Sequence, residues 1–98
     1  MKIGGHNYII KIAKLDDDKL AECDYDNATI FISNAIKIQT IKESALLHEI
    51  LHACNSTFGQ EGLEHGIIDS LAEQLYQALK DNKLLNQKEI NNLLKWYN

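Results

Sequence analysis

The chain has 98 residues, 45% of them hydrophobic and 24% charged, with no proline. This length suits one domain, residues 1–98, with a single modest core. The net charge is −4, all ten basic residues are lysine and none of them cluster, which argues against a nucleic-acid-binding surface. The longest apolar runs are too short to cross a membrane and the N-terminus lacks an apolar signal core, so we expect a cytoplasmic protein.

The first third of the chain predicts three β-strands. Residues 8–15 are β-branched and partly alternating, residues 21–25 follow as a second strand, and residues 28–33 alternate as a third. The Asp26-Asn27 pair favours a turn that joins the last two strands as a hairpin. Three carboxylates at 16–18 read as a turn or solvated loop, since a calcium site needs further ligands at loop spacing. We therefore expect a small, mainly antiparallel three-stranded sheet.

The rest of the chain predicts three helices, which makes the fold class α+β. Thr40-Ile41-Lys42-Glu43 fits a capping box, so a helix should run over residues 41–55. A second helix is expected over residues 63–80, and an Asn86 cap with Glu89 predicts a short last helix to about residue 97. The second helix carries apolar residues at spacings of three and four, namely Ile68, Leu71, Ala72, Leu75 and Leu79.

The first helix contains the segment ALLHEILHAC, in which two histidines stand four residues apart and a glutamate follows the first. Residues four apart share one helix face, so His48 and His52 can bind one metal ion together. Glu49 lies about 100° further round the helix, beside the ion, where it can act on a water molecule. This H-E-x-x-H pattern is the signature of zinc metalloproteases.

Chance is the alternative explanation of this motif. A shuffled chain of the same composition contains H-E-x-x-H roughly once in a hundred arrangements. The motif here sits behind a capping box and among apolar residues, which a merely solvated face does not need. Two histidines in such surroundings require polar partners, and a metal ion supplies them. We therefore expect one Zn²⁺ ion at His48 and His52, with Glu49 as catalytic base.

A catalytic zinc usually has three protein ligands, so a third is required. His65 is favoured because it lies on the same face of the second helix as the apolar stripe that should meet the core. Glu64 and Glu61 are the alternatives, since a carboxylate serves equally well as a zinc ligand. His6, after two glycines, is interpreted as a surface residue.

Two further residue types near the motif need an interpretation. Asp69 follows His65 by one helical turn and can accept a hydrogen bond from a metal-bound imidazole, although an exposed helical aspartate is the equal alternative. Cys23 and Cys54 are too few for a disulfide framework and are interpreted as small buried residues. Cys54 points away from the histidines and is a poor fourth ligand.

The segments ALLHEILHAC and LEHGIIDSLAEQLYQALKDN resemble those of short bacterial and phage-borne zinc metallopeptidases of the zincin type, related to the ImmA/IrrE and SprT-like groups. The resemblance covers roughly residues 22–82. It implies a minimal zincin-like fold, with a small sheet, the H-E-x-x-H helix and a second ligand-bearing helix. Zincins of the glutamate class carry a Glu ligand on that helix with an Asp four residues later. Here the matching pair is His65 and Asp69, so histidine replaces glutamate.

The expected function is zinc-dependent hydrolysis of peptide bonds, with Glu49 as general base. The resemblance further implies cleavage of a regulatory protein of a phage or mobile element. The expected partner is a peptide or protein substrate, aligned by a sheet edge, with Tyr8, Tyr25 or Tyr76 as oxyanion donor. The oligomeric state does not follow from the sequence. Two alternatives are a non-catalytic zincin-like binding module stabilised by its metal, and a metal-free adaptor.

Overall fold

Residues 1–16, 18–58 and 64–94 are described by a computed structural model of the protein. In these ranges it contains five strands and three helices. The strands are β1 (Lys2–Ile3), β2 (His6–Asn7), β3 (Ile9–Ala13), β4 (Ala21–Asp24) and β5 (Thr29–Ser33). The helices are α1 (Gln39–Phe58), α2 (His65–Asp81) and α3 (Gln87–Leu93). The α+β class is confirmed.

The three predicted strands form one sheet in the order β3-β5-β4. β4 and β5 make the predicted antiparallel hairpin, with Cys23 opposite Ile30. The expectation of a mainly antiparallel sheet is wrong for β3, which pairs parallel with β5. After β3 the chain crosses to the far side of the sheet to form β4, and then returns as β5 between them. The alternation of residues predicts which face of a strand is buried, but it does not predict the direction of the strand. A separate two-stranded hairpin, β1-β2, was not predicted.

α1 lies at the centre of the domain, where it contacts β4, β5 and β1 on one side and α2 on the other. Ile30 and Ile32 of β5 are fully buried, and Ala45, Leu46 and Ala53 of α1 complete the core beneath them. From α2, Ile68 and Ala72 are buried, as the predicted stripe requires, whereas Leu71 is largely exposed. The 20-residue α1 therefore presents one face to the sheet and another to α2.

The helix ends differ from the sequence predictions at α1. The helix begins at Gln39, and the Ile38 carbonyl accepts hydrogen bonds from the N–H groups of Ile41 and Lys42. Thr40 therefore lies inside the helix, so the predicted capping box is wrong. At α3 the prediction is confirmed, because the Asn86 side chain accepts a hydrogen bond of 3.1 Å from the Glu89 N–H. The prediction that α3 runs to about residue 97 is wrong, because the helix ends at Leu93 and Leu94 is its C-cap.

Two other predictions concern the surface. At residues 16–18, the Asp16 carbonyl accepts from the Lys19 N–H and Asp18 has a φ of 60°, which is turn geometry; Asp17 lies outside the described residues. Among the described helices, none combines the length and the apolar character that crossing a bilayer requires.

Candidate metal centre

α1 places the two histidines of the motif side by side. His48 and His52 are one turn apart, and their Nε2 atoms lie 3.1 Å from each other. The ring centroids are 4.8 Å apart and the ring planes are inclined by 50°. Both side chains are partly buried, because α2 covers this face of α1. Two ring nitrogens are thus directed to one point at the boundary between the helices.

The separation of the two nitrogens suits joint coordination. Zn–N bonds of about 2.0–2.1 Å in a tetrahedral site place two ligand nitrogens about 3.4 Å apart. The observed 3.1 Å is close to that tetrahedral edge, and corresponds to an N–metal–N angle of about 100°.

Asp69 of α2 adds an oxygen to this pair. Its Oδ1 lies 3.1 Å from His48 Nε2 and is shielded from solvent. The three ligand atoms of His48, His52 and Asp69 lie within 4.8 Å of one another. Two imidazoles and a carboxylate are a common donor set for divalent transition metals. This group can hold a metal ion.

The ring nitrogen of His48 that Asp69 contacts is informative about the role of Asp69. A carboxylate that only orients a ligand histidine usually contacts the ring nitrogen that does not bind the metal. Asp69 instead lies against His48 Nε2, the same nitrogen that faces His52. Asp69 Oδ1 and His52 Nε2 therefore each lie 3.1 Å from the same ring nitrogen of His48.

Glu49 is the buried carboxylate of the group. It is 8% exposed, and its Oε2 lies 4.0 Å from His48 Nε2. Burial, reinforced by the negative charges of Glu22 and Asp69, raises the pKa of Glu49 to about 7. A divalent cation at the histidines would oppose these causes and favour the ionised carboxylate.

An open cavity of about 330 Å³ gives access to the group, and both His48 and Glu49 line it. Its opposite wall is formed by the segment 19–21, where β4 begins. β4 is an edge strand of its sheet and packs beside α1. The buried carboxylate and one histidine are therefore accessible to a molecule that lies between β4 and α1.

The remaining predicted ligands are not brought to this point by any described contact. Glu64 precedes α2 and is exposed. His65 is the first residue of α2, one turn before Asp69, but its side chain lies outside the described part of the structure, as does the whole of Glu61. His6 is exposed in β2, as expected of a surface residue, and Cys54 packs against the core.

Sequence reasoning missed the environment of Glu43, which it assigned to the capping box. Glu43 is 2% exposed, and its carboxylate accepts hydrogen bonds from Tyr76 at 2.5 Å, Lys80 at 3.0 Å, Gln87 at 2.5 Å and Gln39 at 3.1 Å. These donors come from all three helices. A signal was present, because Glu43 falls on the stripe formed by Leu46, Leu47 and Ile50 at spacings of three, four and seven.

No protein-family model matches the chain, and no curated protein or solved structure is significantly similar to it. The resemblance to zincin-type metallopeptidases therefore rests on the motif and its surroundings.

Proposed function

We propose that this protein is a zinc-dependent peptidase. The observation that carries the proposal is the convergence of His48 Nε2, His52 Nε2 and Asp69 Oδ1 beside the buried carboxylate of Glu49. Three residues with only a structural role would not need a buried acid beside them that also lines a cavity. Candidate catalytic residues of this kind are expected in clefts, where burial shifts their pKa values.

His48 and His52 would hold the ion, and α2 would supply the third ligand. The described contacts favour Asp69 for that position, and His65, one turn earlier, is the alternative predicted from the sequence. When bound, zinc would supply a Lewis acid that polarises the scissile carbonyl and acidifies water. Nitrogen and carboxylate donors together suit zinc better than magnesium or calcium, which prefer oxygen alone.

Glu49 would act as the general base and then the general acid. Its carboxylate removes a proton from the attacking water and delivers that proton to the nitrogen of the leaving amine. The cation would keep this carboxylate ionised and therefore able to accept a proton, and its position on α1 next to His48 holds it 4.0 Å from the candidate ligand nitrogen. The C–N bond of the peptide breaks as this nitrogen is protonated.

Of the three tyrosines, Tyr25 is the one whose side chain is exposed and makes no other described hydrogen bond, so we propose it as the donor to the developing oxyanion. Tyr25 directly follows β4 and is 46% exposed. Its pKa is raised mainly by burial, and to a smaller extent by the negative charges of Cys23 and Glu49. Tyr8 is buried in the core, and the Tyr76 hydroxyl donates to Glu43. The free edge of β4 would align an extended substrate by main-chain hydrogen bonds.

A second candidate function is a metal-stabilised binding module that does not catalyse. The observation in its favour is the small size of the domain, because a chain of 98 residues gains relatively much from a metal ion that joins two helices. In that case Glu49 would be dispensable for function.

Elemental analysis and a cleavage assay test the proposal together. Purified protein should contain close to one zinc per chain, and a tryptic digest of a bacterial lysate should gain new peptide termini, detected by mass spectrometry. Glu49→Gln should keep the zinc and lose about a thousandfold in cleavage rate. His52→Ala should lose both, because it removes a ligand.

Asp69→Asn is the matched variant for the third ligand. A marked fall in zinc affinity would support coordination by Asp69, whereas retained affinity would transfer the position to His65. If zinc-loaded wild type cleaves nothing and Glu49→Gln is indistinguishable from it, the peptidase proposal is wrong and the binding module stands. If no zinc is retained, both fail.

A further inference from the structure

The cavity beside His48 and Glu49 shares part of its lining with a second cavity, away from the metal centre. The first measures about 330 Å³ and the second about 420 Å³. Both are lined by Lys19 and Leu20, the two residues that precede β4, so they adjoin each other. We name the pair the β4–α1 groove and the second cavity its distal pocket.

One stripe of α1 forms a wall along the whole groove. Ile41 lines the distal pocket, while Ala45 and His48 line the cavity at the metal centre. These residues are four and seven positions apart, so they share a helix face and span about 10 Å at 1.5 Å per residue. An extended peptide advances about 3.3 Å per residue. The groove therefore spans about three residues of an extended chain.

The distal pocket is open and mostly aliphatic, and its lining also contains Asp18, Lys19, Ser33 and Lys37. Ile38 is 57% exposed and Leu20 is 52% exposed, and Ile41 is also exposed. Ile36 lines the floor of the pocket and is itself buried. Several of the large hydrophobic side chains that the described surface exposes thus surround one hollow, and burial of such side chains against a ligand is favourable.

We propose that the β4–α1 groove binds the extended segment on one side of the scissile bond, and that its distal pocket selects a bulky aliphatic or aromatic side chain about three residues from that bond. The proposal rests on the peptidase function proposed above. A peptide is the occupant because the first cavity is lined by candidate catalytic residues, the second shares Lys19 and Leu20 with it, and the two together have the length of a short extended segment. The pocket thereby defines a substrate class, namely sequences with a large apolar residue at a fixed distance from the cleavage site.

Cleavage-site profiling tests the proposal with the zinc-loaded, full-length protein. The probe is a tryptic digest of a bacterial lysate, and mass spectrometry reads the residues around each new terminus. Wild type should show Leu, Ile, Met or Phe enriched at about the third residue on one side of the bond. Ile38→Gln should reduce kcat/KM roughly tenfold for a synthetic peptide with Leu at that position. The same peptide with Ser there should be cleaved by the variant and the wild type at equal rates.

Ile9→Gln is the matched control. Ile9 is 52% exposed, like Ile38, but it lies on β3, at the opposite edge of the sheet from β4. It should leave the preference unchanged. Ile41→Gln, a second substitution in the distal pocket, should repeat the effect of Ile38→Gln and covers the case in which that variant does not fold.

The outcomes separate this proposal from the one on which it rests. Cleavage that depends on Glu49 but shows no preference at that distance overturns the distal pocket and leaves the peptidase function intact. An equal loss in Ile9→Gln and Ile38→Gln also overturns it. Absence of any cleavage by zinc-loaded wild type removes both proposals.

Discussion

Two glutamates of α1 differ in what surrounds them, although both are buried and they stand only six residues apart. Burial opposes ionisation of Glu43, but hydrogen bonds from Tyr76, Gln87, Gln39 and Lys80 outweigh it and lower the pKa of Glu43 to about 2. Glu49 is buried as well, but the described residues place no such donor on it, and Glu22 and Asp69 add negative charge, so its pKa rises to about 7.

The contrast separates a glutamate with a structural role, Glu43, from one for which we propose a chemical role, Glu49. Glu43 is a satisfied anion that joins the three helices, and Lys80 provides the opposite charge at 3.0 Å. Glu49 is held where its charge is unfavourable, next to two histidines and a cavity. Unfavourable burial of an acid is expected where the acid has a task other than stability.

The largest expected difference lies in the response of stability to neutralising each acid. Glu43→Gln should lower the free energy of unfolding by about 3–4 kcal/mol, because Lys80 and Tyr76 lose a charged partner in a buried site. Glu49→Gln, in metal-free protein, should change it by less than about 1 kcal/mol or raise it, since a poorly compensated charge disappears. Urea unfolding at pH 7 with a chelator measures both. Equal losses would abolish the distinction.

The next effect is the dependence of stability on acid. The folded-state pKa of Glu43, about 2, lies below its ordinary value of 4.5, so folding favours the ionised form. Its contribution is fully present above about pH 4.5 and is lost as the pH falls toward 2, by at most about 3 kcal/mol. Wild type should lose stability through this window more steeply than Glu43→Gln. Parallel curves for the two proteins would show that Glu43 is not the group responsible.

The smallest effect concerns the two tyrosine hydroxyls. Tyr76 donates a 2.5 Å hydrogen bond to the Glu43 carboxylate, so Tyr76→Phe should cost about 2 kcal/mol of unfolding free energy. Tyr25→Phe should cost less than about 0.5 kcal/mol because Tyr25 is half exposed. In the cleavage assay the order should reverse, since Tyr25 is the proposed oxyanion donor. A stability loss for Tyr25→Phe as large as that for Tyr76→Phe would contradict this assignment.

The residues that sequence reasoning placed correctly are those whose neighbours are local. His48, Glu49 and His52 belong to one helix, so the helical period alone sets their relative positions. The β4–β5 hairpin and the Asn86 cap likewise depend on a few adjacent residues.

What the sequence did not reveal depends on how distant elements dock. Asp69 reaches His48 only because α2 packs on α1 with one particular rotation about its axis. That rotation cannot be predicted from a single sequence. The T-x-x-E pattern at Thr40 was misleading, since the helix begins at Gln39 and the Glu43 carboxylate accepts hydrogen bonds from Tyr76, Lys80 and Gln87 instead. The parallel direction of β3 likewise depends on a crossover that residue alternation does not record.

The parallel pairing of β3 has a kinetic consequence. β4 meets β5 across a short turn, whereas Ile9 must find Thr29, twenty positions along the chain. Closing the larger loop costs more entropy, so the hairpin can form first and β3 joins an edge that already exists. Loop-closure entropy thus favours early assembly of the β4–β5 hairpin, which lies next to the histidines. β3 then joins the sheet at the edge opposite β4.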